Sequence, residues 1–264
     1  MLFQSRDGTF IACDSSGRGP GVLLVHGTGA AGPSWRPIRA VLDAHFTVHA
    51  MDRRGYGMSG DATTYAIERE CDDIACCIEA LSTDSVDVIA HSYGALCALG
   101  ACRRGASINR LVLYEPPVPT PGGIYCPPEV VPEMRAAIAA GDLAGAMASF
   151  LTGVHGITRD NVARMHRVAA WRDQIALAPL VLRELEAVAH FRFVANDYAD
   201  WRIPTLLLLG GESPAQYRVT ADLLHGSLPG SRIEVLPGQG HTAINTAPRL
   251  FADAVLRFLG AHEE

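Results

Sequence analysis

The stretch from Val86 to Leu96 limits what this chain can fold into more than any other part of the sequence. It is an apolar run that ends abruptly at Ser92, which lies between small residues, and it resumes with the spacing of a helix. We interpret it as a strand, a sharp turn and a helix in direct succession. The turn therefore places one serine at the point where a strand ends.

The residues of that turn, Ala90-His91-Ser92-Tyr93-Gly94, follow the pattern G-x-S-x-G with alanine in the first position. Small residues are needed two positions on either side of the serine, because the strand and the helix pack closely there. Such a turn holds an exposed nucleophile, which makes Ser92 the candidate nucleophile. Matches of five residues also arise by chance, so this interpretation depends on the rest of the chain.

Short apolar runs alternate with helical patterns along most of the chain. The runs, each typical of a strand covered on both faces, are 22–25, 46–51, 86–90, 111–114, 205–209 and 233–236. The helical patterns are 35–44, 65–81, 93–104, 215–225 and 247–259. Asp7-Gly8 near the N-terminus is a hairpin signal. This alternation predicts an α/β fold, with a mostly parallel sheet and helices on both faces.

One interval breaks the alternation. Between 116 and 200 no convincing strand is found, and after a proline-rich start the pattern is helical. We expect residues 1–115 and 201–264 to form the core domain. Residues 116–200 are then a helical cap over the carboxyl ends of the strands, where open α/β sheets bind ligands. The alternative is a structural elaboration that does not touch substrate. Trp171, in an amphipathic stretch of the cap, is the candidate substrate contact.

Composition removes several classes of chemistry. All 22 basic residues are arginine, so a Walker A lysine, a Schiff-base lysine and a Ser-Lys dyad are excluded. The formal net charge of -6 gives no basic surface for nucleic acid, and no run of like charge indicates a tail. We therefore expect no nucleic-acid partner.

The seven cysteines are scattered, without the spacing of a zinc site or of paired C-x-x-C motifs. They are typical of buried thiols in a reducing compartment. The N-terminus lacks a basic region followed by an apolar core, and no apolar run approaches the roughly 18 residues of a membrane span. The sequence thus predicts a cytoplasmic protein without a metal site or a membrane partner, and it leaves a homodimer open.

The glycine-rich segment after the run 22–25 allows two interpretations. Residues 27–32, GTGAAG, have the form G-x-G-x-x-G, and Asp52 follows 20 residues later, which together make the fingerprint of a dinucleotide site. Pro33 argues against that site, because the third glycine should lie within a helix whose N-terminus receives the pyrophosphate.

The second interpretation is a loop that donates a backbone N–H to an oxyanion. The residues HGTG at 26–29 have the form that such a loop takes after an early strand of the sheet. The N–H groups of Thr28 and Tyr93 are then the expected oxyanion donors. The residues expected to line the substrate site beside them are Gly27, Gly29 and His91.

A serine nucleophile needs a base and an acid that orients the base, and in this kind of fold they follow in the order serine, acid, histidine. His241 lies in a glycine-rich loop between the last apolar run and the last helical pattern, which makes it the candidate base. The usual acid position after 205–209 holds Ser213, with Glu212 one place earlier. Glu115 ends the run 111–114 directly before two prolines. Position favours Glu115 as the acid, with Glu212 as the alternative.

These motifs together resemble the α/β-hydrolase superfamily over nearly the whole chain. The resemblance is carried by HGTG at 26–29, DRRGYGMS at 52–59, AHSYG at 90–94 and PGQGH at 237–241. Within the superfamily the chain is similar to the branch that includes zearalenone lactonases, whose acid is a glutamate after the strand that follows the nucleophile helix. YEPP at 114–117 matches that position. The resemblance implies a triad of Ser92, His241 and Glu115.

The predicted function is hydrolysis of a small carboxylic ester or lactone through an acyl-enzyme, with no cofactor. Other cofactor-free reactions of such a fold stay open as alternatives, namely those of a thioesterase, a C–C hydrolase, a perhydrolase or a lyase, because a fold does not determine the reaction. A binding protein that keeps the fold without turnover and a dinucleotide-dependent oxidoreductase are the alternatives from other classes.

Overall fold

The computed structural model describes residues 1–81, 85–120, 125–168 and 171–260. The chain divides into two compact units, of which the first combines Met1–Val118 with Phe193–Glu264 and the second is Pro119–Arg192. The first unit contains the sheet and the second is helical. The domain boundaries predicted from the sequence, at 115/116 and 200/201, differ from these divisions by three and eight residues.

The first unit is built on one sheet. Its strands are β1 (Leu2–Gln4), β2 (Phe10–Gly17), β3 (Gly21–Val25), β4 (Thr47–Met51), β5 (Val86–His91), β6 (Ile108–Tyr114), β7 (Thr205–Gly210) and β8 (Arg232–Leu236). They form an 8-stranded sheet in the order β1-β2-β4-β3-β5-β6-β7-β8. β1 and β2 make the predicted antiparallel hairpin around Asp7-Gly8, and β2 also pairs antiparallel with β4. All pairs from β4 to β8 are parallel.

Helices connect the parallel strands, as the alternation predicted. The helices of the first unit are α1 (Arg36–Asp43), α2 (Ile67–Ala80) and α3 (Tyr93–Arg103) in its first segment, and α9 (Ala215–Ser227), α10 (Ala243–Thr246) and α11 (Pro248–Leu259) in its second. The first helical pattern, 35–44, is preceded by a 3₁₀ turn over Gly32–Trp35. Pro33 and Pro37 occupy the first turns of these two elements, where the missing N–H of proline causes no loss.

Both faces of the sheet are covered. Residues 22 to 25 of β3 are all 0% exposed, and successive side chains of a strand point to opposite faces. On one face Trp35 and α1 pack with α11 around Phe251 in a single apolar cluster. This explains why the strand runs read as continuous apolar segments and not as alternating ones.

The second unit is an all-helical segment around its own apolar core. Its helices are α4 (Val130–Ala139), α5 (Leu143–Gly153), α6 (Arg159–Met165), α7 (Trp171–Ala176) and α8 (Ala178–His190). Met134, Phe150 and Trp171 are buried in that core. α6 ends at Met165, and residues 169–170 lie outside the described residues.

Parallel pairing has one consequence for function, because it brings the carboxyl ends of β3 to β8 to the same edge of the sheet. Within the described residues, no helix combines the length and the apolar character needed to cross a lipid bilayer.

Candidate active site

The sequence-predicted site residues of the first unit follow the carboxyl ends of four strands. Thr28 follows β3, Ser92 follows β5, Glu115 follows β6 and His241 lies in the loop after β8. The topology therefore gathers at one sheet edge residues that are up to 213 positions apart, since 241 minus 28 is 213. Ser92 and Glu115 directly follow the last residues of their strands, whereas Thr28 and His241 lie three and five residues beyond theirs.

Ser92 occupies the turn between β5 and α3 in a strained conformation. Its φ is 52° and its ψ is -124°, a region that residues with a side chain rarely adopt. Gly94 is required here, because a Cβ on it would lie 2.3 Å from the carbonyl oxygen of His26. The structure thus has the strand, turn and helix that the sequence pattern predicted. Ser92 is 3% exposed.

Glu115 shares this strain. Ser92 and Glu115, at φ 52° and φ 49°, are the non-glycine residues of the described chain that have positive φ. Strained backbone persists only where the surrounding structure holds it, and it concentrates at functional sites. The two residues end adjacent parallel strands, and the Ser92 N–H donates to the carbonyl oxygen of Tyr114 at 2.8 Å.

The Glu115 carboxyl group is buried at the end of β6, with the residue 2% exposed. Its Oε1 accepts a hydrogen bond from the N–H of Gly210 at 2.7 Å. Burial raises the pKa of Glu115, whereas the Ser213 hydroxyl, the Gly210 N–H and the His91 imidazole act in the opposite direction. Gly210 and Ser213, at and just after the end of β7, and His91, at the end of β5, therefore favour the ionised form of the carboxylate that follows β6.

His241 is bonded to this carboxylate. The distance between His241 Nδ1 and Glu115 Oε2 is 2.5 Å, which is typical of a strong, charge-assisted hydrogen bond. A carboxylate can only accept, so Nδ1 carries the proton and Nε2 keeps its lone pair in the neutral ring. Burial lowers the pKa of His241 to about 4. At neutral pH the imidazole is therefore uncharged and can act as a base through Nε2.

Aromatic rings fix the plane of this imidazole. The ring of Tyr217, from α9, stacks on His241 with centroids 4.7 Å apart and an interplanar angle of 20°. His91 lies 4.6 Å from it and its Nε2 is 3.0 Å from the His241 carbonyl oxygen. Tyr114 donates its hydroxyl to the carbonyl of Gly240, one residue before. The base is thus held through both its ring and its backbone.

Glu212, the alternative acid, is placed differently. Its side chain is exposed, and its backbone N–H donates to the carbonyl oxygen of Gln239 at 2.8 Å. Glu212 therefore supports the loop that carries His241 through its main chain. Of the two glutamates named from the sequence, the structure brings Glu115 to the imidazole.

The loop after β3 lies against the nucleophile. A Cβ on Gly27 would lie 3.0 Å from Ser92 Cβ and 3.1 Å from His91 Nδ1, so a side chain here would crowd the nucleophile. Gly29 has φ 67° and donates its N–H to the Tyr56 hydroxyl at 3.2 Å. The close approach places the Thr28 segment beside Ser92.

His26 holds the same loop from within the core. Its Nε2 accepts a hydrogen bond from the N–H of Arg53 at 3.0 Å, so its Nδ1 carries the proton and donates to the Gly27 carbonyl oxygen at 2.8 Å. Burial lowers the pKa of His26 well below its ordinary value, with Arg53 as the second cause. His26 is thus a neutral, structural histidine.

The other candidate oxyanion donor is the N–H of Tyr93. Tyr93 is the first residue of α3, and the first N–H groups of a helix point out of its end. The helix dipole adds a partial positive charge at this end, which favours an anion.

The dinucleotide interpretation is wrong. Asp52 accepts the N–H of Gly32 at 2.7 Å through Oδ1 and the N–H of Met58 at 2.9 Å through Oδ2. A Cβ on Gly57 would lie 2.1 Å from Asp52 Oδ2. Asp52 is therefore enclosed by its own turn and cannot receive a ribose. Gly32 begins a 3₁₀ turn, not a long helix with its N-terminus directed at a pyrophosphate.

Trp171 belongs to the helical unit. It is 6% exposed in the core of the helical unit, and its ring stacks on His166 with centroids 4.5 Å apart. Its role as a substrate contact stays a prediction. No group of three or more His, Cys, Asp or Glu side chains that could hold a metal ion is found in the described parts of the chain.

Sequence reasoning did not single out Tyr217 or Arg53. Tyr217 belongs to a helix whose packing on the site depends on the sheet order. The sequence did contain a sign of the role of Arg53, because an arginine that closely follows a buried strand needs a carboxylate partner if it is buried. That partner, Glu70, lies 17 residues away on α2, and no local pattern links the two positions.

Comparison with known proteins identifies the family. A model of the Alpha/beta hydrolase family matches residues 22–254, which is most of the sequence, and the chain therefore belongs to the α/β-hydrolase family. An alpha/beta hydrolase from Sphaerobacter thermophilus DSM 20745 is 35% identical and superposes with a TM-score of 0.86, over 98% of this chain and 100% of that chain.

Two further proteins are similar to this chain at lower coverage or identity. The enol-lactonase from Burkholderia xenovorans LB400 is 20% identical and has the same fold, with a TM-score of 0.75 over 98% of this chain and 100% of that chain. N-formylmaleamate deformylase from Pseudomonas putida is 35% identical over 109 residues, which are 40% of this chain and 41% of that protein. The family match and the alpha/beta hydrolase from Sphaerobacter thermophilus support hydrolase activity.

Proposed function

We propose that this chain is a serine hydrolase that cleaves a carboxylic ester or lactone through an acyl-enzyme, using Ser92, His241 and Glu115. The observation that carries the proposal is the 2.5 Å hydrogen bond between His241 Nδ1 and Glu115 Oε2, beside a serine elbow with positive φ. This is the arrangement in which a buried carboxylate orients a neutral imidazole toward a nucleophile.

In the proposed first step, His241 Nε2 takes the proton of the Ser92 hydroxyl as its oxygen attacks the substrate carbonyl. Glu115 stabilises the imidazolium that forms, because its carboxylate already accepts the Nδ1 proton. The negative charge that develops on the carbonyl oxygen is accepted by the N–H groups of Thr28 and Tyr93. The Tyr93 N–H belongs to the first turn of α3, and the Thr28 N–H belongs to the loop after β3.

In the second half of the reaction, the tetrahedral adduct collapses and the alcohol leaves with the proton from the His241 imidazolium. Water then attacks the acyl-enzyme, with the same imidazole as base, and releases the acid and Ser92. Every proton passes through His241 Nε2. The proposed reaction therefore needs no group beyond these side chains, the two N–H donors and water.

The substrate class rests on the neighbours and on the sequence resemblance. One structural neighbour is an enol-lactonase, and the resemblance to zearalenone lactonases lies at YEPP, 114–117. N-formylmaleamate, named for the deformylase relative, is the second substrate to test. The helical unit as a cap, the cytoplasmic location and a homodimer stay predictions from the sequence.

The test is the reaction of Ser92. We expect the Ser92→Ala variant to lose on the order of 10⁶ in kcat on a p-nitrophenyl ester, with an unchanged circular dichroism spectrum. A fluorophosphonate probe should label the wild-type protein at Ser92 and leave the variant unlabelled. Hydrolysis by the variant at near the wild-type rate would place the chemistry elsewhere.

A panel of substrates separates the remaining classes. Graded p-nitrophenyl esters, macrolactones, a thioester and N-formylmaleamate should be compared by kcat/KM. The proposal expects esters or lactones to exceed the others, and a preference for the thioester or for N-formylmaleamate would contradict the substrate class while leaving the nucleophile in place.

A further inference from the structure

A buried arginine contacts both segments that carry the candidate oxyanion donors. Arg53 lies two residues after the end of β4, in the turn 52–59, and is 0% exposed. Its guanidinium group lies between the loop after β3 and the first residue of α3, in the same unit as Ser92. The contacts of this charged group have to be explained, because burying a cation costs free energy unless the cation is paired.

The first contact is with the loop after β3. Arg53 Nη2 donates to the Gly27 carbonyl oxygen at 3.5 Å, and this oxygen also accepts the His26 Nδ1 proton. The Gly27 carbonyl and the Thr28 N–H belong to one peptide group. A donor on the carbonyl fixes the plane of that group and polarises it, which makes the N–H on the other side a stronger donor.

The second contact is with the residue after the nucleophile. The guanidinium carbon of Arg53 lies 4.9 Å from the centroid of the Tyr93 ring and 5.0 Å from that of Tyr56, both within the range of a cation–π contact. Tyr56 in turn accepts the N–H of Gly29. Arg53 thus contacts the ring of Tyr93, which follows the nucleophile, and the ring of Tyr56, which is bonded to the loop after β3.

The positive charge of Arg53 is balanced by the carboxylate of Glu70. Arg53 Nη1 lies 3.3 Å from both carboxylate oxygens of Glu70, which is 1% exposed. Glu70 Oε1 also accepts the Tyr65 hydroxyl at 2.8 Å. The Tyr65 and Tyr93 hydroxyls are 2.6 Å apart. Arg53, Glu70, Tyr65 and Tyr93 therefore form a closed network, in which each side chain contacts the next.

We propose that Arg53 is a positioning residue for the oxyanion hole, which holds the Gly27–Thr28 peptide and Tyr93 in the geometry that the transition state needs. Glu70 neutralises the guanidinium charge and sets its orientation. The inference rests on the proposed function, because it assigns the Thr28 and Tyr93 N–H groups to the oxyanion. It goes beyond that function in naming the buried pair that aligns them.

The neighbouring residue provides a matched control. Arg54 is also 0% exposed and is paired through its side chain with Asp73, at 2.6 Å and 2.7 Å, and with Asp7 at 2.9 Å. Both arginines therefore have the same burial and an internal carboxylate partner on α2. Arg54 contacts Asp7 in the turn between β1 and β2 and Asp73 on α2, whereas Arg53 contacts Gly27 and Tyr93.

The experiment compares two double variants, each of which removes one buried pair completely: Arg53→Met with Glu70→Leu, and Arg54→Met with Asp73→Leu. Removing both partners avoids an unpaired buried charge, so the fold is best preserved. We expect the Arg53 pair variant to lose about 10-fold or more in kcat on p-nitrophenyl acetate with KM changed less than about threefold, since losing one oxyanion donor outright costs about 10² to 10³. The Arg54 pair variant should keep kcat within about threefold.

A transition-state analogue separates positioning from a general loss of structure. Affinity for butylboronic acid, which forms a tetrahedral adduct with serine, should fall in the Arg53 pair variant by the same factor as kcat/KM, and it should stay unchanged in the Arg54 pair variant. The single variant Arg53→Lys keeps a cation on a flexible stem without the fork of the guanidinium, and we expect it to recover part of the loss.

Three outcomes would overturn the inference. These are an Arg53 pair variant with wild-type kcat, equal losses of kcat in the two pair variants, and a loss that appears in KM with boronate affinity unchanged. If the Arg53 pair variant does not fold, Arg53→Lys and Tyr65→Phe decide, and full kcat in both would also overturn it. If Ser92→Ala stays active, the proposed function itself fails, and this result is independent of the Arg53 comparison.

Discussion

The loops that follow β6 and β7 lie side by side and each contains a glutamate. One of these glutamates is buried and the other is exposed. Glu115 turns into the protein directly at the end of β6, 2% exposed and at positive φ. Glu212, two residues after the end of β7, is exposed. Only one of these positions lets a carboxylate meet the imidazole of His241, at 2.5 Å.

The difference shows what an orienting acid requires. A carboxylate has to be buried against the base, yet it must also be kept ionised, and burial alone raises its pKa. The loop after β7 meets the second need, because Gly210 donates its N–H to Glu115 Oε1 and the Ser213 hydroxyl lowers the pKa of the same carboxyl group. The loop after β6 carries the charged carboxylate, and the loop after β7 supplies the groups that stabilise its charge.

We expect the largest effect on kcat from removing the carboxylate of Glu115. Glu115→Ala should lower kcat by about 10³ to 10⁴, because His241 loses the group that orients it and stabilises its charged form. Glu212→Ala should change kcat by less than about twofold, since it removes an exposed side chain. Steady-state rates on one p-nitrophenyl ester, with circular dichroism to check folding, compare the two. A large loss in the Glu212 variant alone would reverse the assignment.

An intermediate effect tests whether the two loops can exchange roles. In the Glu115→Ala background, Ser213→Asp should recover about 10-fold of the lost kcat, because it places a carboxylate beside the position that Glu115 vacates. In the wild-type background the same Ser213→Asp change should lower kcat, because two carboxylates then share one buried site and one of them is neutralised. A double variant no faster than Glu115→Ala would show that the β7 loop cannot reach His241.

The smallest expected effect concerns pH. The base acts only when His241 is neutral, and burial lowers its pKa to about 4. The acid limb of kcat/KM, which reports the free enzyme, should therefore lie below the ordinary value of 6.5, and activity at pH 5.5 should stay within about twofold of its plateau. A profile of kcat/KM from pH 4 to pH 8 measures this. A midpoint at or above 6.5 would mean that the Glu115 charge outweighs burial.

The elements of the sheet could be predicted closely, because both faces of it are covered and its strands are continuous apolar runs. The elbow at Ser92 was readable for a related reason, since Gly94 leaves no room for a side chain beside His26. The first glycine loop was ambiguous, because a dinucleotide loop and an oxyanion loop share small residues after a strand. The hydrogen bonds of Asp52 to its own turn decide between them.

What the sequence determined by itself was therefore local: which segments are strands, where the serine turn lies, that no lysine chemistry is available, and that an acid was missing from its usual place. The tertiary structure decided which glutamate meets His241, which hydroxyl and N–H support it, and that Arg53 lies between Gly27 and Tyr93. The physical reason is that strand order and burial bring together residues far apart in the chain. The spacing of residues along the chain predicts the conformation of each segment, but it does not predict the distance between the ends of two strands.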